Sequence, residues 1–144
     1  MAGDVAAARE KVQRYLNDNF DVVDTDSDGN FSLRRGSTRI FVKVRTHDDT
    51  DWTWVTLEVP LLSKVAETPE VFEHVALHSD DFVFGHLSVV RAENGLLILF
   101  SHALLGDYLD EAELVKAVDG MLTIADNMDD ELGEMFGGDR FHGN

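Results

Sequence analysis

One stretch of the sequence limits the possible folds more than any other: residues 82–104, which read FVFGHLSVVRAENGLLILFSHAL. Asn94-Gly95 at its centre predicts a two-residue hairpin turn, because both turn positions favour a positive φ. This turn would pair Glu93 with Leu96 and give two antiparallel strands that are apolar on both faces, so both faces need a cover. One face would hold Leu87, Val89, Ile98, Phe100 and Leu104, and the other Phe84, Val90, Leu97, Leu99 and Ala103.

Length and composition restrict the class of protein. The chain has 144 residues, no Cys and a formal net charge of −16, from 28 Asp and Glu against 12 Lys and Arg. Without Cys there is no disulfide and no thiolate chemistry. The acidic balance repels phosphate backbones and anionic lipid, so we expect neither nucleic acid nor membrane as a partner, and basic or apolar partners instead. We find no signal peptide and no membrane-spanning run, which predicts a cytoplasmic protein.

Three segments have the apolar spacing and the starting residues of helices. Asp4 and Asp110 are capping residues for the first and the third segment, and Thr68-Pro69 is a helix start for the second. Gly137-Gly138 ends the third. The predicted helices cover about residues 5–17, 69–78 and 111–136.

Strand patterns fill the remaining sequence. Residues 38–46 and 51–60 alternate in polarity around a turn at 47–50, and Pro60 is expected to limit further pairing. The order α-β-β-β-β-α-β-β-α follows, an α+β fold with one antiparallel sheet and three helices. We expect one domain over residues 1–138 and a flexible polar tail over 139–144. The strand candidates are residues 20–23, 31–33, 38–46 and 51–60 and the two arms of the long hairpin.

The hairpin of residues 38–60 carries aromatic and cationic side chains on its non-core face. A four-residue turn would set Arg45 opposite Trp52 and Lys43 opposite Trp54, with Phe41 beside them. Trp and Arg are typical interface anchors, and an exposed cation–π contact contributes about 0.5–1 kcal/mol. We therefore predict a peptide-binding or dimer interface at these five residues. The alternative is that a helix of the same chain covers the rings.

The acidic stretch DTDSDGN at residues 24–30 fits the first half of an EF-hand loop. The twelfth position of such a loop should be Glu, but it is Arg35, and both flanks have strand patterns. An acidic β-turn and a Ca²⁺-binding regulatory protein are the two readings. The candidate oxygen donors are Asp24, Asp26, Asp28 and Asn30.

Other groups of polar residues give little support to an enzyme. Glu70, His74 and His78 are spaced four apart, which suits either a metal site of a small hydrolase or a solvated helix face. There is no nucleophile elbow and no glycine-rich phosphate loop. We expect a non-enzymatic protein without a cofactor. The acidic residues of the last helix, most of them expected on its solvated face, are Asp126, Asp129, Asp130, Glu131 and Glu134.

The order of elements resembles the type III secretion chaperone fold and the related YbjN-like proteins, grouped with it as peptide-binding chaperones. The C-terminal half carries the local likeness, at residues 94–100, 110–118, 125–132 and 136–138. The resemblance implies a small acidic homodimer that holds an extended peptide, with no catalysis. Our leading hypothesis is therefore a non-enzymatic homodimer that binds an unknown client protein or peptide. The alternatives are the Ca²⁺-binding regulator and a purely structural or interaction domain.

Overall fold

The structure, a computed structural model, describes residues 4–46 and 51–141. Its elements follow the predicted order α-β-β-β-β-α-β-β-α, with one further short strand at the C-terminal end. The helices are α1 (Val5–Asn19), α2 (Pro69–His78) and α3 (Glu111–Phe136). The strands are β1 (Asp24–Thr25), β2 (Phe31–Arg35), β3 (Thr38–Thr46), β4 (Thr53–Val65), β5 (His86–Ala92), β6 (Gly95–Leu105) and β7 (Asp139–Arg140).

The sheet is antiparallel throughout and runs β1-β2-β3-β4-β6-β5, with β7 paired to the end of β4. Leu16 of α1, Val75 of α2 and Leu122 of α3 join one buried cluster with the inward residues of the strands. The three helices therefore pack on one face of the sheet, which buries the alternate apolar residues that the strand patterns predicted. None of the helices in the described ranges has the length and apolarity needed to cross a membrane.

Two of the three predicted helix starts have the expected cap. The Asp4 Oδ1 atom accepts the Ala7 N–H at 3.0 Å, and the Asp110 Oδ1 atom accepts the Glu113 N–H at 2.8 Å. These bonds satisfy backbone donors that a helix leaves unpaired in its first turn. Helix α2 begins at Pro69 without a side-chain capping bond from Thr68 in the described structure. Its start is fixed by the proline φ instead.

The register of the long hairpin differs from the prediction. Ala92 pairs with Gly95, so the turn residues are Glu93 and Asn94 rather than Asn94 and Gly95. A Cβ at Gly95 would lie 2.8 Å from the Val65 carbonyl oxygen, so glycine is needed for the close approach of β6 to β4. The shift is two residues, and side chains alternate with a period of two, so the strand residues keep their predicted faces.

The β3–β4 hairpin is shifted in the same way. Arg45 pairs with Trp54, and Phe41 pairs with Glu58, so the predicted Arg45–Trp52 and Lys43–Trp54 pairs are wrong. The turn predicted at residues 47–50 lies outside the described residues. The loop between the paired strands is longer than the prediction assumed, and again the faces of the strands are unchanged.

Three predicted boundaries also differ. Residues 20–23 are not a strand, and the first strand is β1. Strand β4 continues past Pro60, because β3–β4 pairing already ends at Glu58 and β4–β6 pairing tolerates a register shift after Pro60. Asp139 and Arg140 pair with β4, so the start of the expected tail belongs to the sheet.

Helix α3 is fastened to the β2–β3 turn by two of its acidic residues. Asp129 is only 1 % exposed, and its Oδ2 atom accepts the Ser37 hydroxyl at 2.6 Å. The Asp126 Oδ1 atom accepts the Ser37 N–H at 3.3 Å. Asp129 is thus an exception to the expected solvated acidic face, because the turn brings a hydroxyl donor to it.

Candidate functional site

The face of the sheet that points away from the helices is partly exposed. Along β3 and β4, fully buried residues such as Val42 and Leu57 alternate with half-buried ones such as Lys43 and Trp54. We call this side the open face. Its principal side chains are Arg34, Arg39, Phe41, Lys43, Arg45, Trp52, Trp54, Glu58, Pro60, Val90, Leu97, Leu99 and Leu105.

The five side chains predicted as a site all lie on the open face. The rings of Trp52 and Trp54 stand 5.7 Å apart at 57°, and Trp52 is 49 % exposed. The Lys43 Nζ and Arg45 Nη2 atoms both approach the Glu58 carboxylate, at 3.5 and 3.6 Å. The structure therefore does not support the alternative in which a helix of the chain covers both indoles. Glu58 lies on the same face, as the alternation of residues 51–60 predicts, and contacts both cations although it was not among the five predicted site residues.

The fifth predicted residue, Phe41, has a partner from the end of the chain. Its ring meets the Phe141 ring edge-on, with centroids 5.8 Å apart. Phe141 directly follows β7, which pairs with Leu62 and Ser63 of β4. An extended segment of the chain thus runs beside β4 and sets an aromatic ring on the open face.

The open face is apolar over β4, β6 and β5. Leu105 lies opposite Trp54, and Leu99 lies opposite Pro60. The assignment of Leu97, Leu99 and Val90 to this face is confirmed by the strand pairing. Phe84, which was predicted to share it, lies instead against Gly120 of α3, because it precedes the strand.

The open face is cationic over β2 and β3. Arg34 pairs directly with Arg39 across the two strands. The Arg39 Nη1 atom lies 3.0 Å from an Asp24 carboxylate oxygen and 2.9 Å from the Ser32 hydroxyl. Arg35 points to the helix side, where its Nη1 atom lies 2.8 Å from the Asp119 carboxylate. The open face therefore has an apolar part and a basic part.

Strand β5 is an edge of the sheet. At its start, the Leu87 N–H donates to the Ser79 carbonyl at 3.2 Å, and the Ser79 hydroxyl donates to the Leu87 carbonyl at 3.0 Å. The backbone groups of Val89 and Arg91 point the same way as those of Leu87, because they alternate along an antiparallel strand. Within the described ranges, no such bond covers these outward groups. Part of the β5 edge is thus open to another strand.

The acidic stretch of residues 24–30 forms a turn. The Asp26 Oδ1 atom accepts the N–H groups of Asp28 and Asn30, at 2.8 and 3.0 Å. The Asn30 N–H bond is the main reason that the pKa of Asp26 lies below its ordinary value. Asp24 pairs with Arg39. Two of the four candidate Ca²⁺ donors are therefore engaged in local contacts, as the β-turn reading expects.

The histidines of α2 line a groove against α3. The His74 and His78 rings are 4.5 Å apart, and the His78 Nδ1 atom lies 2.8 Å from the Asp81 carboxylate. Burial, and then the nearby His78, lower the pKa of His74. Across residues 4–46 and 51–141, no group of three or more His, Asp or Glu residues is arranged to hold a metal ion. The groove has a volume of about 460 Å³ and is lined by His74, Phe82, Ile124, Met128 and Met135 among others.

Comparison with known proteins places the chain in a family. Residues 6–144 match the family described as T3SS (YopN, CesT) and YbjN peptide-binding chaperone 1. A chain of the crystal structure of the ExsC-ExsE complex superposes with a TM-score of 0.60 over 90 % of this chain and 96 % of that chain. Its sequence identity is 15 %, so this likeness shows the fold alone. No curated protein matches the sequence.

The match spans nearly the whole chain, and the superposition agrees with the order of helices and strands. The fold predicted from that order is confirmed, and so is the expectation of a non-enzymatic protein, since the family is one of chaperones. The chain belongs to the type III secretion and YbjN family of peptide-binding chaperones.

Proposed function

We propose that the protein is a homodimeric chaperone that holds an extended segment of a client polypeptide on the open face of its sheet. The observation that carries this proposal is the open face itself, where two indoles and several aliphatic side chains lie together without a helix over them in the described residues. Contiguous exposed apolar side chains mark interaction sites. Trp is also the residue type that most often anchors such interfaces.

The end of the chain supports an extended client. Asp139 and Arg140 pair with β4 as a short strand, and Phe141 then packs on Phe41. This segment shows how a strand beside the sheet delivers an aromatic ring to the open face. A client strand would use the same combination of main-chain pairing and alternate side-chain anchors.

The β5 edge supports a dimer. The outward N–H and C=O groups of Val89 and Arg91 suit pairing with a second strand. Two copies of β5 placed antiparallel about Val89 would give a self-complementary contact of the kind that two-fold dimers require. Such pairing would also protect an edge that otherwise favours aggregation.

The client site is tested with the double variant Trp52→Ala/Trp54→Ala. Calorimetric titration would use short extended peptides that carry Phe or Leu at alternate positions. We expect the double variant to lose at least about tenfold in affinity, since removal of anchoring Trp residues typically costs 2 kcal/mol or more. Circular dichroism and the urea midpoint would show that the fold is kept.

The matched control is Leu77→Ala/Met135→Ala, which removes exposed apolar side chains from the helix side of the molecule. We expect this control to bind like the wild type. Equal loss in both double variants would contradict the open-face assignment. So would unfolding of the Trp variant, because the indoles would then be part of the core.

The dimer is tested by solution mass and by Val89→Pro. Proline removes the outward N–H of Val89, whereas the β5–β6 pairing does not use that group. We expect a dimeric wild type and a folded monomeric variant in light scattering. A wild type that is monomeric at micromolar concentration, or a variant that remains dimeric, would contradict the proposed interface.

A further inference from the structure

We infer that the client segment is acidic, with Asp or Glu residues beside its apolar anchors. This inference rests on the proposed client site and adds the charge of the ligand. The net charge of the whole chain predicts basic partners, whereas the open face would bind an acidic one. The cations are distributed unevenly along the chain.

Residues 31–46 contain five of the 12 Lys and Arg residues and none of the 28 Asp and Glu residues. The remainder of the chain is therefore even more acidic than the total charge indicates. These 16 residues form β2, β3 and the turn between them. The basic character is thus concentrated at one side of one sheet.

Most of these cations point to the open face. Arg35 alone turns to the helices, where it meets Asp119 and the Thr123 hydroxyl. The four on the open face are Arg34, Arg39, Lys43 and Arg45.

Among the described residues, the carboxylates of Glu58 and Asp24 form ion pairs with the cations of the open face. The Glu58 carboxylate lies between Lys43 and Arg45 and forms an ion pair with each of them. Asp24 pairs with Arg39, which is directly opposite Arg34 in the ladder. In the part of the chain that the structure describes, no ion pair is formed by the exposed Arg34. Because directly opposed like charges are unfavourable, an added carboxylate between β2 and β3 would be stabilised.

The spacing of these cations suits an extended peptide. Lys43 and Arg45 are two residues apart on one face of β3, so their side chains repeat at about 6.8 Å. Alternate side chains of an extended client repeat at the same distance. Carboxylates on one side of a client strand could therefore meet these cations, while its apolar side chains reach Trp54 and Leu105 next to them.

The confined size of the basic part favours a short acidic peptide over a nucleic acid. Electrostatic attraction between exposed charges fades within about 8–10 Å at ordinary ionic strength. A long polyanion would extend beyond β2 and β3 onto the strongly acidic remainder of the molecule and be repelled there. A peptide that is acidic at one part and apolar at another matches the two parts of the open face.

The test uses three peptides that share one half, with Phe and Leu at alternate positions, and differ in the other half, where Glu, Gln or Lys occupies the alternate positions on the same side of the strand. Calorimetric titration would measure each at low and at high salt. We expect the Glu peptide to bind about tenfold more tightly than the Gln peptide at low salt, an advantage of about 1.4 kcal/mol. The advantage should shrink as salt is added, because the pairs are partly exposed.

Two double variants make the test specific. Arg34→Gln/Arg45→Gln removes two cations from the open face and should abolish the preference for Glu over Gln. Arg14→Gln/Lys116→Gln changes the net charge by the same amount at exposed helix positions and should retain the preference. Both pairs are at the surface, and the urea midpoint would verify that each variant folds.

The outcomes separate the inference from the proposed function. Equal binding of the Glu and Gln peptides, or tightest binding of the Lys peptide, would overturn the acidic client and leave the open-face site standing. Binding of none of the three peptides would overturn the open-face site as well. Binding of a single-stranded oligonucleotide with the same dependence on Arg34 and Arg45 would show a general anion site and overturn the peptide assignment.

Discussion

Neighbouring residues of the central strands point to opposite faces of the sheet, and the two faces differ in how much of their side chains is exposed. Leu104 and Leu105 are consecutive in β6, yet Leu104 is 7 % exposed against the helices and Leu105 is 43 % exposed on the open face. Val42 and Lys43 of β3 differ in the same way. The difference shows that apolar composition makes a face suitable for packing, and that the placement of the helices decides which face is covered.

A division of roles follows from this comparison. The helix-covered face supplies the buried area that stabilises the fold, since burial of apolar surface is the main favourable term in folding. The open face has side chains of similar kind that are only partly buried. Changes on the first face should therefore alter stability, and changes on the second should alter binding.

The largest contrast should come from Leu104→Ala and Leu105→Ala. The first leaves a cavity in the core and should lower the free energy of unfolding by about 2–5 kcal/mol. The second removes a half-exposed side chain and should cost about 0.5 kcal/mol. Urea denaturation measures both values.

Peptide titration on the same pair sharpens the contrast. We expect Leu105→Ala to weaken binding of an extended apolar peptide and Leu104→Ala to leave binding unchanged under conditions where it is folded. Similar losses of stability in both variants would mean that the open face is part of the folding core.

A smaller effect is expected where the covered face is fastened to α3. Gly36 has a φ of +58°, and a Cβ there would lie 2.1 Å from the nearest Asp126 carboxylate oxygen. Gly36→Ala should cost about 1–2 kcal/mol for the left-handed backbone alone, with the displacement of Asp126 added to it. Urea denaturation of Gly36→Ala, Asp126→Ala and the double variant gives the coupling between the two sites. If the loss of unfolding free energy in the double variant equals the sum of the two single losses, the contact with Asp126 does not contribute to the cost of Gly36→Ala.

The smallest effect concerns pH. The His102 Nδ1 atom accepts the Gly85 N–H at 3.1 Å, and burial is the main reason that the pKa of His102 is lowered, with His86 adding to it. The fold therefore favours neutral His102. Its contribution to stability should be complete above about pH 6.5, the ordinary His value, and be lost as the pH falls from there through the lowered pKa.

The urea midpoint as a function of pH measures this contribution. His102→Gln should have a flatter profile than the wild type between about pH 5 and 7, around the ordinary His pKa of about 6.5. Part of the slope should remain, because the pKa of His74 is lowered as well. Superimposable profiles of the wild type and His102→Gln would contradict the assigned contribution of His102 to the pH dependence of stability.

The sequence predicts the order of elements and the faces of the strands well, because both depend on local periodicity. It fails on register, since close approaches such as that of Gly95 to Val65 involve residues far apart in the chain. The same is true of the burial of Asp129, which depends on a hydroxyl from Ser37. Because side chains alternate with a period of two, the register errors of two residues in both hairpins left the predicted faces of the strands unchanged.

The candidate site was predictable in part. Phe41, Lys43, Arg45, Trp52 and Trp54 stood out because aromatic and cationic residues alternate with core residues on two neighbouring strands. The ion pairs of Glu58 with Lys43 and Arg45 and the position of Phe141 follow from strand pairing and were not predicted. One signal was present in the sequence and not used: the absence of any acidic residue between positions 31 and 46.

The proximity of the two indoles has a practical consequence. The chain contains two Trp residues, and both belong to the pair whose rings lie 5.7 Å apart on the open face. Their intrinsic emission and near-ultraviolet optical activity therefore come from that one place in the molecule. Occupancy of the face by any ligand can be followed as a spectral change of the unlabelled protein, with no background from indoles elsewhere.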